Sequence, residues 1–207
     1  LGLLLACTNE PLIERQTPVD PINFVDPFIG TGFHGHTFPG ASLPFGMVQL
    51  SPDTHIPGWD ASSGYHYSDS TIYGFSHTHL SGTGIGDLGD VLLLPFTGEY
   101  KNGMTARFDK SDEKASVGYY QVLLKDFNIS AELTATERTG MHRYTFPENA
   151  SKKLLIDLGH ILQPNWGHKS ISGSFFLGEK TISGERISSG WAHDHRVYFY
   201  IEFSQAY

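Results

Sequence analysis

The feature that narrows the fold most is a two-residue alternation of apolar and polar side chains in the second half of the chain. Ile129, Ala131, Leu133 and Ala135 alternate with Ser130, Glu132, Thr134 and Thr136, and Val197, Phe199, Ile201 and Phe203 alternate with Tyr198, Tyr200 and Glu202. Successive side chains of a strand point to opposite faces, so this period marks strands with one face buried and one open. Residues 119–124, 141–146 and 154–158 offer further strands. Asp126, Gly140, the run Pro147-Glu148-Asn149 and Gly184 supply turns between them. No long stretch carries a helical period. Short strands at this spacing predict an all-β fold, a sandwich of antiparallel sheets. Ahead of them, residues 21–100 are rich in Gly, His and aromatics. That segment predicts large Gly-rich loops with short strands at 47–50, 72–76 and 91–95.

Charge then excludes one class of partner. The net charge is −8, and no Lys or Arg occurs between Arg15 and Lys101. The same stretch holds Asp53, Asp60, Asp69, Asp87 and Asp90 with six of the eleven histidines. Such a surface repels phosphate, which argues against nucleic acid. It suits a neutral polyol, or a sugar held beside a divalent cation.

Cys7 is the single cysteine, so no internal disulfide forms. It follows the apolar run Leu1-Gly2-Leu3-Leu4-Leu5-Ala6, and Leu4-Leu5-Ala6-Cys7 resembles the lipobox that ends a bacterial lipoprotein signal peptide. The expectation is a leader clipped at its front, lipid attachment at Cys7 and a polar tether, so that residues 1–20 form the signal remnant and tether. The protein is then an exported lipoprotein of the outer membrane, cell surface or periplasm, held to a membrane only through that anchor. No other run approaches the ~18 apolar residues of a membrane span.

The densest information lies in residues 25–95. They read Val25-Asp26-Pro27-Phe28-Ile29-Gly30-Thr31-Gly32, Phe38-Pro39-Gly40-Ala41, then Leu43-Pro44-Phe45-Gly46-Met47-Val48-Gln49-Leu50-Ser51-Pro52-Asp53-Thr54. Gly58-Trp59-Asp60 and Ser63-Gly64-Tyr65-His66-Tyr67 follow. The stretch 73–90 closes the block with Tyr-Gly-Phe-Ser-His-Thr-His-Leu-Ser-Gly-Thr-Gly-Ile-Gly-Asp-Leu-Gly-Asp. Over about a third of the chain these residues resemble the amino-terminal domain of glycoside hydrolase family 92, which comprises calcium-dependent, exo-acting, inverting α-mannosidases.

The resemblance implies a β-sandwich of the galactose-mutarotase-like supersandwich type over residues 21–207, followed in the family by a helical linker and an (α/α)6 barrel. It also implies that the acid Glu, the base Asp and most calcium ligands belong to the barrel. The expectation is therefore an incomplete enzyme, inactive alone, with no catalytic residue and no metal site of its own. Its partners would be mannose-containing glycans, in particular α-1,2-mannosides, and its own carboxy-terminal barrel. A second reading is a free-standing, lipid-anchored carbohydrate-binding module.

Within this block Trp59 can offer its face to the C–H side of a sugar, or plug the edge of the sandwich. Asp60 can accept hydrogen bonds from hydroxyls, or cap a turn. His77 and His79, two apart, would share a face of a strand and line a polar pocket or act structurally. Two histidines fall short of a zinc ligand set. Ser63 and Tyr65 are further pocket candidates. Asp87 and Asp90 lie among glycines without an EF-hand pattern and read as turn residues. Trp191, beside His193 and His195, reads as core or interface ahead of a pocket-facing role. The glycines at 82–86 lack the spacing of a nucleotide loop.

Overall fold

The computed structural model describes residues 19–207. Cys7 and all but the last two residues of the expected tether lie outside the described residues. Fourteen strands follow: β1 (Ala41–Ser42), β2 (Gln49–Asp53), β3 (Thr71–Ile72), β4 (Gly74–Ser76), β5 (Leu92–Phe96), β6 (Ala106–Arg107) and β7 (Glu113–Ser116), then β8 (Tyr119–Leu124), β9 (Ile129–Ala135), β10 (Gly140–Thr145), β11 (Lys153–Asp157), β12 (Lys169–Leu177), β13 (Thr181–Ser189) and β14 (His195–Glu202). The described residues contain short 3-10 turns and no α-helix. No described helix is long and apolar enough to cross a membrane.

Three sheets stack around the central one. It runs β1-β2-β4-β5-β11, a second runs β10-β9-β8-β7, a third β12-β13-β14, and β3 pairs with β6 as a ribbon. All described pairings are antiparallel. One core fills the space between the central and second sheets, with Leu50, Phe75 and Leu94 against Tyr120, Val122, Leu124, Ile129, Ala131 and Leu133. A smaller core joins the opposite face to the third sheet through Val91, Leu93, Ile156, Val197, Phe199 and Ile201. Each fully buried Leu, Ile or Phe contributes roughly 1.5–3 kcal/mol. β5 is covered on both faces, which is why residues 91–96 read as an unbroken apolar run rather than an alternation.

The expected sandwich is thus present, and the alternation in residues 129–136 and 197–203 pointed to the faces that are buried. Two details differ. Residues 72–76 are not one strand: the chain leaves the ribbon at Ile72 and enters the central sheet at Gly74, with Tyr73 N–H donating to Asp53 O at 2.8 Å. β12 and β13 carry no clear apolar period because the buried phase of β13 is Ile182, Arg186 and Ser188. Arg186 is fully buried. Its Nε donates to Leu158 O at 3.0 Å, one terminal nitrogen to His160 O at 2.6 Å, and the other to Ser188 Oγ at 3.0 Å and to Asp90 Oδ1. A buried guanidinium is tolerable only when paired and hydrogen-bonded in this way.

Candidate functional site

Loops between the strands meet around Trp59. The indole is about half exposed, at 51%, and its Nε1–H donates to Gly84 O at 2.9 Å. Two histidines from residues 31–37 flank it: His36 edge-on at 4.3 Å between ring centroids and His34 tilted at 5.1 Å. His34 Nδ1 lies 2.6 Å from Asp60 Oδ1. That hydrogen bond, first among the causes, holds the Asp60 carboxyl below the ordinary carboxylate range. The result is an aromatic face edged by a carboxylate and two imidazoles, in a stretch free of lysine and arginine.

The supports of this face are backbone contacts that need glycine. The turn at 30–37 closes so tightly that a Cβ on Gly35 would stand 2.0 Å from Gly30 O. Gln163, fully buried, clamps the loop before Trp59: its Nε2 donates to Gly58 O at 2.8 Å and its Oε1 accepts from Gly58 N–H at 3.3 Å. Gly86 leaves room for that side chain, since a Cβ there would lie 2.2 Å from Gln163 Cγ. Ser63 Oγ donates to Thr37 O at 2.9 Å and ties the histidine turn to the Trp59 turn.

Beneath the loops sits Asp53, fully buried. His79 Nε2 stands 2.6 Å from one oxygen and His160 Nε2 2.8 Å from the other, while His79 Nδ1–H donates to Gln49 O at 2.7 Å. Burial alone would raise the Asp53 carboxyl. The charge of His79 and the hydrogen bonds from both rings outweigh it and hold the group well below its usual range. A carboxylate held ionised in this way cannot act as a general acid.

Of the residues singled out in the sequence, Trp59 and Asp60 come together at the surface. Ser63, Tyr65 and His79 are buried and His77 is partly so; Ser63 and Tyr65 stand beneath the surface rather than on an open pocket, and of the two readings of His77 and His79 the structural hydrogen bonds are the one observed. Tyr65 O–H donates to Glu113 Oε2 at 2.9 Å and accepts from Lys110 Nζ at 2.7 Å; burial, then the Glu113 charge, pushes its phenol far up. His77 and His79 do not share a face, because β4 ends at Ser76 and the strand rule stops there. His77 turns toward the second sheet instead. Its Nδ1–H donates to Val91 O at 2.8 Å, its Nε2 accepts from His142 Nε2–H at 3.0 Å, and His142 Nδ1 accepts from Tyr144 O–H at 2.7 Å. Burial pushes both imidazoles down, His142 the further.

Asp90 is structural, buried against Arg186 and accepting from Thr78 Oγ1 at 2.6 Å. Trp191 is not a core residue: its side chain is 70% exposed, and its backbone N–H donates to Asp87 Oδ2 at 2.9 Å. Trp166, 42% exposed, packs edge-on to His168, whose Nδ1 lies 3.7 Å from Asp87 Oδ1. All three tryptophans therefore reach the surface and connect, directly or through a neighbour, to residues 84–87. His34, His36, Gln163 and His160 escaped the sequence reading. The one available signal was the pair of histidines set around Gly35 in a cation-free stretch.

The face can bind a neutral, hydroxyl-bearing ring. Of the carboxylates near it, Asp60 pairs with His34 and Asp53 is buried. Among the described residues no group of three or more His, Cys, Asp or Glu side chains converges as a metal site. No step below passes through a metal ion.

Comparison with known proteins identifies the fold. The glycosyl hydrolase family 92 N-terminal domain matches residues 24–207. A family GH92 α-mannosidase from Bacteroides thetaiotaomicron, solved with mannoimidazole, superposes with a TM-score of 0.84 at 41% identity, covering 89% of this chain and 25% of that one. An inverting GH92 mannosidase from the same organism gives 0.72 at 27% identity, covering 91% and 26%. An uncharacterized secreted glycosidase of Arthroderma benhamiae is 34% identical over 177 residues, 78% of this chain and 22% of the relative. The chain thus spans about a quarter of the length of the relatives it matches.

Proposed function

The chain belongs to glycosyl hydrolase family 92, whose N-terminal domain it carries, and on that premise we propose that it is the substrate-positioning part of an exo-acting, inverting α-mannosidase. The observation that carries this reading is the half-exposed Trp59 held between His34, His36 and Asp60. The indole stacks on the C–H face of a mannose ring, and Asp60 accepts a hydrogen bond from a ring hydroxyl. The buried Asp53–His79–His160 cluster and Gln163 keep those loops in place. Positioning of this kind matters because misplacement alone can cost about 10²-fold in rate.

Inverting hydrolysis needs an acid that protonates the leaving oxygen and a base that activates water from the opposite face, about 6.5–9.5 Å apart. In this proposal both carboxylates, and most ligands of a required calcium ion, come from the remainder of the full-length protein. Export is part of the same reading, supported by the secreted fungal relative; lipid attachment at Cys7 is its more specific form.

The test is hydrolysis of an α-1,2-linked mannobiose, with calcium and with a chelator. The full-length protein is expected to turn the substrate over, to lose activity on chelation, and to invert the anomeric centre by NMR. This chain alone is expected to be inert. Turnover by the chain alone overturns the division of labour, and an inert full-length protein overturns the assignment.

A further inference from the structure

His36 stands apart from every other histidine near Trp59. Its side chain is 6% exposed, yet its Nε2 is buried and has no hydrogen-bond partner among the described residues. The nearest acceptor, Asp60 Oδ1, is 3.8 Å away, too far for a direct bond. Leaving a buried polar nitrogen unpaired forfeits its hydrogen bonds to water, and such a group calls for an explanation. The backbone adds a second cost. His36 has φ +53° and Phe33 has φ +53°, a left-handed conformation that non-glycine residues adopt rarely. The His36 carbonyl accepts from Gly82 N–H at 2.6 Å, which holds this turn of the backbone.

We propose that His36 Nε2 and Asp60 Oδ1 form a two-point clasp for a single hydroxyl of the sugar that stacks on Trp59, which makes His36 a specificity-determining residue. The inference rests on the sugar-binding reading of this face. A hydroxyl both donates and accepts. Bridging the two atoms from one side of the 3.8 Å line that joins them, it donates to the Asp60 carboxylate and accepts from His36 Nε2–H. Asp60 Oδ1 also takes the His34 hydrogen bond at 2.6 Å, so the acceptor stays ionised and aimed. A site built to pair a particular hydroxyl discriminates strongly against an analogue lacking it, because its own polar groups are then left unpaired.

The test uses the full-length protein and α-mannosides in which one hydroxyl at a time is replaced by hydrogen. His36→Asn removes the imidazole while keeping a residue that tolerates the left-handed backbone. The expected result is a loss in kcat/KM of about tenfold or more on the parent mannoside. That loss should vanish on one deoxy analogue and persist on the others. His36→Gly accepts the same backbone and is read in its place where His36→Asn does not fold. An equal loss on every analogue, or none on the parent, overturns the clasp while leaving the mannosidase reading intact. A wild-type protein inert toward the whole series overturns that reading, and the clasp with it.

Discussion

Two histidine clusters sit in different parts of the molecule and are built on opposite terms. Between the sheets, His77 and His142 form a closed relay from Val91 O to Tyr144, in which every ring nitrogen has a partner. At the loop face, His34 is paired with Asp60, but His36 keeps a buried nitrogen with no partner among the described residues. The first cluster is saturated, and its work is cohesion. The second carries an unmet hydrogen bond and a strained backbone, the pattern left where a fold gives up stability for recognition. Residue type alone does not separate them; hydrogen-bond accounting does.

The comparison can be broken most severely from the inside. Arg186→Met should cost about 3–5 kcal/mol, because it leaves the buried Asp90 without its guanidinium and with only Thr78 and His195 to bond it; denaturant unfolding measures it. A loss under 1 kcal/mol would show that those two contacts suffice and that the buried ion pair does not hold the third sheet. On the face, Trp59→Ala should lower kcat/KM of the full-length protein by about 10- to 100-fold, with its thermal midpoint nearly unchanged. Unchanged kinetics would return Trp59 to a purely structural role.

Acidification should separate the clusters next. The folded-state pKa values of His77 and His142 lie below the ordinary 6.5. The unfolded chain therefore binds more protons just under that value, and stability is full above it and falls as pH drops below it. Asp53 acts later. Its depressed pKa contributes stability that is present above about 3.8 and is lost as pH falls further. Urea midpoints between pH 7.5 and 4.5 should decline for the wild type and decline less for His142→Gln. Parallel declines would remove the relay from the account. The smallest structural effect is expected for Asp60→Asn: no measurable shift in thermal midpoint, since the carboxylate is open to solvent, but weaker mannoside binding by calorimetry in the full-length protein.

Much of the frame was legible before any coordinates. β9 and β14 announce themselves because their buried phases are purely apolar, and β5 because both of its faces are covered. β13 was silent because its buried phase holds Arg186 and Ser188, and Arg186 is satisfied by Asp90, Leu158 and His160 from distant loops. The same limit applied at the face. Trp59 and Asp60 stood out as adjacent residues of a loop. His36 and Gln163 did not, because what gives them meaning is a contact across 24 and 105 residues, to Asp60 and to Gly58.

Local chemistry written along the chain thus settled the all-β class, the cation-free character of residues 16–100 and the family resemblance. Period, charge and motif are properties of neighbouring residues, so they can be read in order. Which histidines are satisfied, which carboxylate is buried, and which tryptophans reach the surface were decided only by the tertiary structure. Those properties depend on desolvation and on partners supplied from distant strands, and no linear pattern records them.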